Sequence, residues 1–464
     1  MIYESSPAVK KGIAGILEVS GDDVKIIDET RLRSSLIDDL VRTAVFSPDS
    51  EALQAVRWLI RRTGVGMGIV SSSIQPLYEA MGRGEVCGFT VPAINIRGVA
   101  YDTAQAVFRA ALKAGAGAVV FEIARSEIDY TRQRPAEYAA AVTAAAIKTG
   151  WRGPLFLQGD HFQVSAGKYA KDPEKEVRAV KDLIWEALDA GFYNIDIDTS
   201  TLVDLSQTSI DRQQKLNFTL AAELTTMIRD LEPEGITVSV GGEIGEVGGK
   251  NSTVEELRAY MDGYRRALDK AGEGIKGISK ISVQTGTTHG GVPLPDGTIA
   301  KVKIDFDTLQ VLSETARKEY GLAGAVQHGA STLPNEAFDR FPAVKTAEIH
   351  LATGFQNIIY DSRHFPAALR EKIYAYLKAE LAAERKEKDT EEQFLYKTRK
   401  KGFGVFKKDF WDLPPRVMAG LGAELEGQFA FLFGKLNVAD TAALVCRHVR
   451  PIDVPVKRPE GLRP

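Results

Sequence analysis

Cysteine is nearly absent: Cys87 and Cys446 are the only two in 464 residues, far apart and outside any CxxC spacing. That excludes a disulfide framework and a cysteine-built zinc site, and it suits a reducing compartment. No stretch approaches the roughly 20 consecutive apolar residues of a membrane helix. The opening segment MIYESSPAVKKG has no apolar signal core, so a soluble, cytoplasmic chain with no membrane partner is expected. A dominant charge is missing too. The formal net charge is −3, and no arginine-rich or aromatic-interleaved stretch occurs. Without a basic surface to neutralise phosphates, no nucleic-acid partner is expected. Histidine is scarce, with six residues in all, which makes the place of each one informative.

What is present is ordinary globular material, 44% hydrophobic and 26% charged, enough for a large core. From Gly88 onward, short β-rich runs alternate with segments of helical period, the pattern of parallel βα units. Eight runs are predicted as strands: GFTVPAIN (88–95), AVVFEI (118–123), PLFLQG (154–159), YNIDID (193–198), TVSVGGE (237–243), KISVQT (280–285), GAVQH (324–328) and EIHLA (348–352). Between them, Ala104, Val107, Phe108 and Ala111 recur at helical spacing, as do Val180, Leu183, Ile184 and Ala187 behind Pro173. Such stripes cover a sheet, and proline suits a first helical turn. The expected fold is a (β/α)8 TIM barrel over residues 71–365, with a helical N-terminal extension over 1–70 and a helical C-terminal extension over 366–464. The charge run AAERKEKDTEEQ reads as a solvated helix face, and the extensions are assigned to packing or oligomer contacts.

Active sites of such barrels lie at the C-terminal ends of the strands, where the βα loops form an open mouth. His161, His289 and His328 follow the third, sixth and seventh predicted strands. A lone strand-end histidine is more often structural than a ligand, but three aimed at one mouth suggest a zinc site. Three imidazoles with an open fourth position let the metal act as a Lewis acid on a carbonyl oxygen. The neighbouring sequence supports this: Asp160 precedes His161 in QGDHFQ, and glycines follow the other two in TTHGG and QHGAS. Glycine there lets backbone N–H groups approach an anion such as phosphate.

In order along residues 75–362, the blocks VPAINIRG, LQGDHFQ, NIDIDTS, GGEIGEVGG, TTHGGVPLPDG, QHGASTLPNEAF and EIHLATGFQN resemble the class II, metal-dependent fructose-bisphosphate and tagatose-bisphosphate aldolase family. The resemblance implies reversible aldol cleavage of a ketose phosphate to dihydroxyacetone phosphate and an aldehyde. It implies Zn2+ on His161, His289 and His328, with Asp160 as the acid/base at the cleaved carbon. Asp198 and Glu243 match positions close to the metal. Gly290, Gly329, Ser331 and Thr353 match positions that hold a substrate phosphate, and Asn95 one that meets the substrate. Read as residues alone, Asp198 could instead cap a following helix, and Asn95 and Thr353 could be turn or cap residues.

The sequence also departs from the family. Relatives carry an acidic pair after the last GG of the fourth block, whereas this chain reads GGKNST, and neither Lys250 nor Asn251 can be a base. Glu246 and Glu255 are the nearby substitutes. Ala124 stands where a serine is expected, and His350 where an asparagine is. Two other functions compete, a zinc-dependent hydrolase and a non-catalytic barrel subunit that supports a partner aldolase; the intact DH, HGG and HG set argues against the latter. A Schiff-base mechanism would need a lysine of lowered pKa on a strand, and none is expected in the strand interiors. A homo-oligomer is the default for such a barrel.

Overall fold

A computed structural model describes residues 1–245, 249–286, 294 and 304–463. Eight parallel strands close into a barrel: β1 (Val91–Asn95), β2 (Val120–Ala124), β3 (Gly153–Gln163), β4 (Asn194–Asp198), β5 (Ser239–Glu243), β6 (Lys280–Val283), β7 (Ala325–Gln327) and β8 (Glu348–Leu351). Each pairs with the next, and β8 returns to β1, with Glu348 opposite Val91 and Leu351 opposite Ile94. Every predicted run overlaps one of these strands, with β2 and β3 running past theirs to Ala124 and Gln163. A short strand, Ile69–Ser71, lies parallel beside the start of β3 and outside the closed ring.

The helices form because their apolar stripes find the barrel wall. Ala104, Val107, Phe108 and Ala111 are all buried on the helix Ala100–Ala114, which ends at Gly115 in the left-handed conformation, φ 62°. Phe108 packs on Phe121 and Trp151, with ring centroids 4.8 and 5.3 Å apart; burying such a ring is worth about 1.5–3 kcal/mol. The helix Pro173–Asp189 starts with Pro173 in its first turn and with Asp172 accepting from the Lys175 N–H. Its stripe of Val180, Leu183, Ile184 and Ala187 is buried as the spacing predicts.

The flanking segments coat this barrel. The N-terminal one carries the helices Ser6–Ile13, Ile37–Phe46 and Ser50–Gly66 and also a hairpin, Leu17–Ser20 with Asp23–Ile26, that the helical reading did not anticipate. In the C-terminal one, the helix Pro415–Lys435 runs along Ala100–Ala114, tied by Glu426 accepting from Arg109 Nε at 2.6 Å. The charge run is not one helix face: residues 385–390 connect the turn Ala382–Glu384 to the helix Glu391–Thr398. Among the described residues no helix is long and apolar enough to cross a membrane. At the N-terminal end of the barrel the helix Gln75–Gly82 sends Tyr78 inward, where its hydroxyl donates to Glu348.

Candidate metal centre and active site

The site begins with an irregularity in β3. Consecutive residues of a regular strand point to opposite faces, yet Asp160 and His161 both line the barrel mouth. The register of β3 against β4 shifts between Gly159 and Phe162, and His161 takes a left-handed backbone, φ 41°. A non-glycine residue held there costs of order 1–3 kcal/mol and marks a geometry that the surroundings enforce. Gly159 makes the bulge feasible, because the Phe162 ring lies 2.4 Å from where a Cβ on that glycine would stand.

Around His161 the ends of β4 and β5 contribute carboxylates. His161 Nδ1 lies 3.1 Å from Asp198 Oδ2 and 3.0 Å from Glu243 Oε2, while its Nε2 is 3.9 Å from Asp160 Oδ1. The His328 ring stands 4.0 Å from the His161 ring, and His328 Nε2 is 2.9 Å from Ser282 Oγ. Asp160, His161 and His328 each bring a ligand atom to within 4.8 Å of the others. Burial pulls the His161 pKa down, but Asp160 and Glu243 together with the Asp198 contact drive it well above the ordinary value. Burial raises Glu243, reinforced by Asp198; burial also pushes Asp198 up, but His161, Ser200 and Gln163 donate to it and hold it below its ordinary value. The cluster is therefore acid-rich and demands positive charge. Imidazole nitrogens among carboxylates fit a divalent ion such as zinc, and carboxylates on Nδ1 are what fix a ligating histidine with Nε2 toward the metal.

Asn95, at the end of β1, donates from Nδ2 to Glu127 at 2.5 Å and to Asp160 Oδ2 at 3.4 Å. A cavity of about 400 Å³ opens above, lined among others by Asn95, Asp160, His161, His328, Gly329, Ser331 and Thr353. Gly329 is left-handed, φ 68°. Ser331 Oγ accepts from the Gly354 N–H at 3.1 Å, and Thr353 Oγ1 accepts from Arg97 at 3.0 Å. The other oxygen of Asp198 accepts from Ser200 N and Oγ at the start of the turn Ser200–Leu202, whose N-cap is Thr199. His289, Gly290 and Glu246 lie outside the described residues. Glu255 is exposed on the first turn of the helix Val254–Ala271 and does not line the cavity.

Beneath the mouth lies a second polar layer that sequence reasoning missed. Lys280 is 1% exposed inside the barrel, a strand lysine that the search for a Schiff-base residue had passed over. Its Nζ donates to Gln158 at 2.8 Å, to Asp196 at 3.0 Å and to Glu348. Burial lowers its pKa, but Asp196 and Glu348 raise it above the ordinary value. A lysine kept protonated has no lone pair for a carbonyl, which argues against Schiff-base chemistry. His350, the departure on β8, touches Asp160 and Glu122 through Nδ1 and Glu348 through Nε2. Burial would lower it, and these carboxylates hold it well above the ordinary value. The signal was present as period-2 polarity inside strands: Gln158 and Asp160, Asp196 and Asp198, Glu348 and His350. Lys400, from the C-terminal region, also lines the cavity, as does Arg97.

The family model of class-II fructose-bisphosphate aldolases matches residues 77–402. No curated protein sequence matches the chain. Among solved structures, one described as a probable tagatose 6 phosphate kinase from Sinorhizobium meliloti aligns with TM-score 0.52 and 18% identity, over 80% of this chain and 96% of its own. The fructose-bisphosphate aldolase of Campylobacter jejuni aligns with TM-score 0.47 and 16% identity, over 80% and 97%. The YdjI aldolase of Escherichia coli K12 gives 0.46 and 12%, over 80% and 99%. At such identities the likeness is one of fold.

Proposed function

The chain belongs to the class-II fructose-bisphosphate aldolase family, and from that premise we propose that it is a zinc-dependent aldolase cleaving a ketose phosphate reversibly to dihydroxyacetone phosphate and an aldehyde. The observation that carries this reading is the convergence of Asp160, His161 and His328 at strand ends in one mouth. His161 and His328, joined by His289, would hold the ion, with Asp198 and Glu243 orienting His161. Zinc bound there supplies Lewis acidity toward the substrate carbonyl oxygen.

The remaining work falls to side chains. Asp160 takes the proton of the hydroxyl at the carbon about to be released, the bond between that carbon and its neighbour breaks, and in the reverse direction the same carboxyl returns the proton. Asn95 reaches toward Asp160 and the substrate. The left-handed Gly329 with Ser331 and Thr353 forms the described part of a phosphate cradle, to which Gly290 belongs by its place after His289. Glu246 and Glu255 are the candidates for the base acting on the dihydroxyacetone phosphate side, and Glu255 lies outside the cavity lining.

The test is to mix purified protein with dihydroxyacetone phosphate and a panel of phosphorylated and plain aldehydes, before and after chelation. Aldol adducts that vanish with the metal and return with zinc are the expected result; no adduct from any aldehyde at full zinc content overturns the reading. Zinc analysis of His289→Ala and His328→Ala tests the ligand set, since each should lose the ion. Inorganic phosphate should compete with substrate, and indifference to it at millimolar levels would remove the cradle.

A further inference from the structure

His350 stands with both ring nitrogens against carboxylates. Nδ1 is 3.0 Å from Asp160 Oδ1 and equally 3.0 Å from Glu122 Oε2, and Nε2 is 2.7 Å from Glu348 Oε1. Burial pushes the Glu348 pKa up, but Lys280 holds it below the ordinary value, so Glu348 only accepts and Nε2 donates to it; toward Asp160, read above as an ionised proton carrier, Nδ1 donates as well. Its lower partner cannot give way: Glu348 also receives Lys280, the Tyr78 hydroxyl and Gln158 Nε2 at 2.9 Å. The imidazole is thus anchored from below and presents one N–H upward, with Asp160 and Glu122 at equal distance from it.

We infer that His350 is a positioning residue that holds Asp160 in its reactive orientation by donating from Nδ1 to Oδ1. This rests on the reading of Asp160 as the proton carrier given above. One oxygen of Asp160 is tied to His350 and the other is 3.4 Å from Asn95, so the carboxylate plane is set between β8 and β1. A group that moves a proton must meet it within hydrogen-bond reach, and a misplacement of about 1 Å can cost about 10²-fold in rate. His350 itself need not touch substrate.

Two substitutions separate this role from mere filling of the core. The amide nitrogen of asparagine stands where Nδ1 stands and can still donate to Asp160, but it cannot reach Glu348. Glutamine does the opposite, placing its nitrogen where Nε2 is. His350→Gln is therefore expected to lose about 10²-fold in kcat with little change in KM or zinc content, and His350→Asn to lose less than about 10-fold. A packing role predicts the reverse order, because glutamine is nearer in volume and keeps the bond to Glu348. In an Asp160→Ala background, His350→Gln should cause no further loss; additive losses overturn the proposal.

Crystal structures of the two variants give an answer that does not need activity. Asp160 should rotate away in His350→Gln and stay in His350→Asn, and an Asp160 unmoved in the glutamine variant overturns the positioning role. If Asp160 moves as expected while wild-type protein forms no aldol adduct, the positioning stands and the proposed reaction is what has failed. Should the glutamine variant not fold, the Nδ1 proton resonance of His350 in protein with isotope-labelled histidine decides. It must shift in Asp160→Ala, and an unmoved resonance overturns the pairing.

Discussion

Two polar layers occupy one barrel, and they differ in how their charges are met. In the lower layer Lys280 is shared by Asp196 and Glu348, Gln158 bridges between carboxylates, and Tyr78 closes the floor. In the upper layer Asp160, Asp198 and Glu243 gather around His161, with an open cavity above. The lower layer carries its own ammonium and is shut from solvent; the upper one has carboxylates in excess of its fixed cations. A buried ionic cluster closed by its own counter-charges is architecture, retained because removing one partner strands the others. A cluster that asks for a cation and faces a cavity is a site.

The largest expected effect probes the upper layer. Asp160→Ala should lower turnover by about 10² to 10⁴, the usual worth of one general acid or base, with zinc content unchanged by metal analysis. Proton exchange on dihydroxyacetone phosphate should survive if a separate base such as Glu246 serves that step; equal loss of both reactions would merge the two roles in Asp160.

Next comes the lower layer. Lys280→Met leaves Asp196 and Glu348 buried without their ammonium and should cost about 3–5 kcal/mol in denaturant unfolding. A loss below about 1 kcal/mol would mean that the layer is not closed by this lysine, and the contrast between the layers would fail. A smaller effect tests the carboxylates behind His161. Asp198→Asn should weaken zinc affinity about 10- to 100-fold, measured by competition with a chelator, without removing the ion at saturating zinc. Unchanged affinity would mean that Asp198 does not support the metal site.

A pH-dependent effect lies between the layers, at Glu122, whose pKa is pushed up from an ordinary 4.5 to about 8 by burial first and then by Asp160. A carboxyl whose pKa rises on folding contributes stability below its unfolded value and loses it as pH climbs through the folded one. Unfolding free energy should therefore fall between about pH 4.5 and 8 from this group, and Glu122→Gln, neutral throughout, should flatten that part of the curve. Equal slopes in wild type and variant would show that Glu122 is ionised across the range.

Much of the site could be read from local order. Asp160, His161 and His328 stand directly at strand ends, and a strand delivers whatever follows it to the mouth. The stripe of Val180, Leu183, Ile184 and Ala187 behind Pro173 specified its helix for a similarly local reason, since side chains three and four apart share a face. Lys280 escaped because a lysine opening an apolar run normally snorkels to water, and nothing nearby in sequence announces that Asp196 and Glu348 wait across the barrel. The hairpin Leu17–Ser20 with Asp23–Ile26 was missed within a segment read by its helices, being too short to show a period of its own.

By itself the sequence determined the alternation of strands and helices, and so the eight-stranded barrel, because periods of 2 and 3.6 residues are properties of the chain alone. It also placed the chemistry-bearing side chains at the strand ends. The tertiary structure alone decided which of them touch: that a bulge turns Asp160 and His161 to the same side, that His350 faces Asp160 rather than solvent, and that Lys280 is an internal counter-ion. Those outcomes depend on register and closure, which bring residues more than a hundred positions apart within 3 Å, and on burial, which makes each unmatched charge costly enough to dictate its partner.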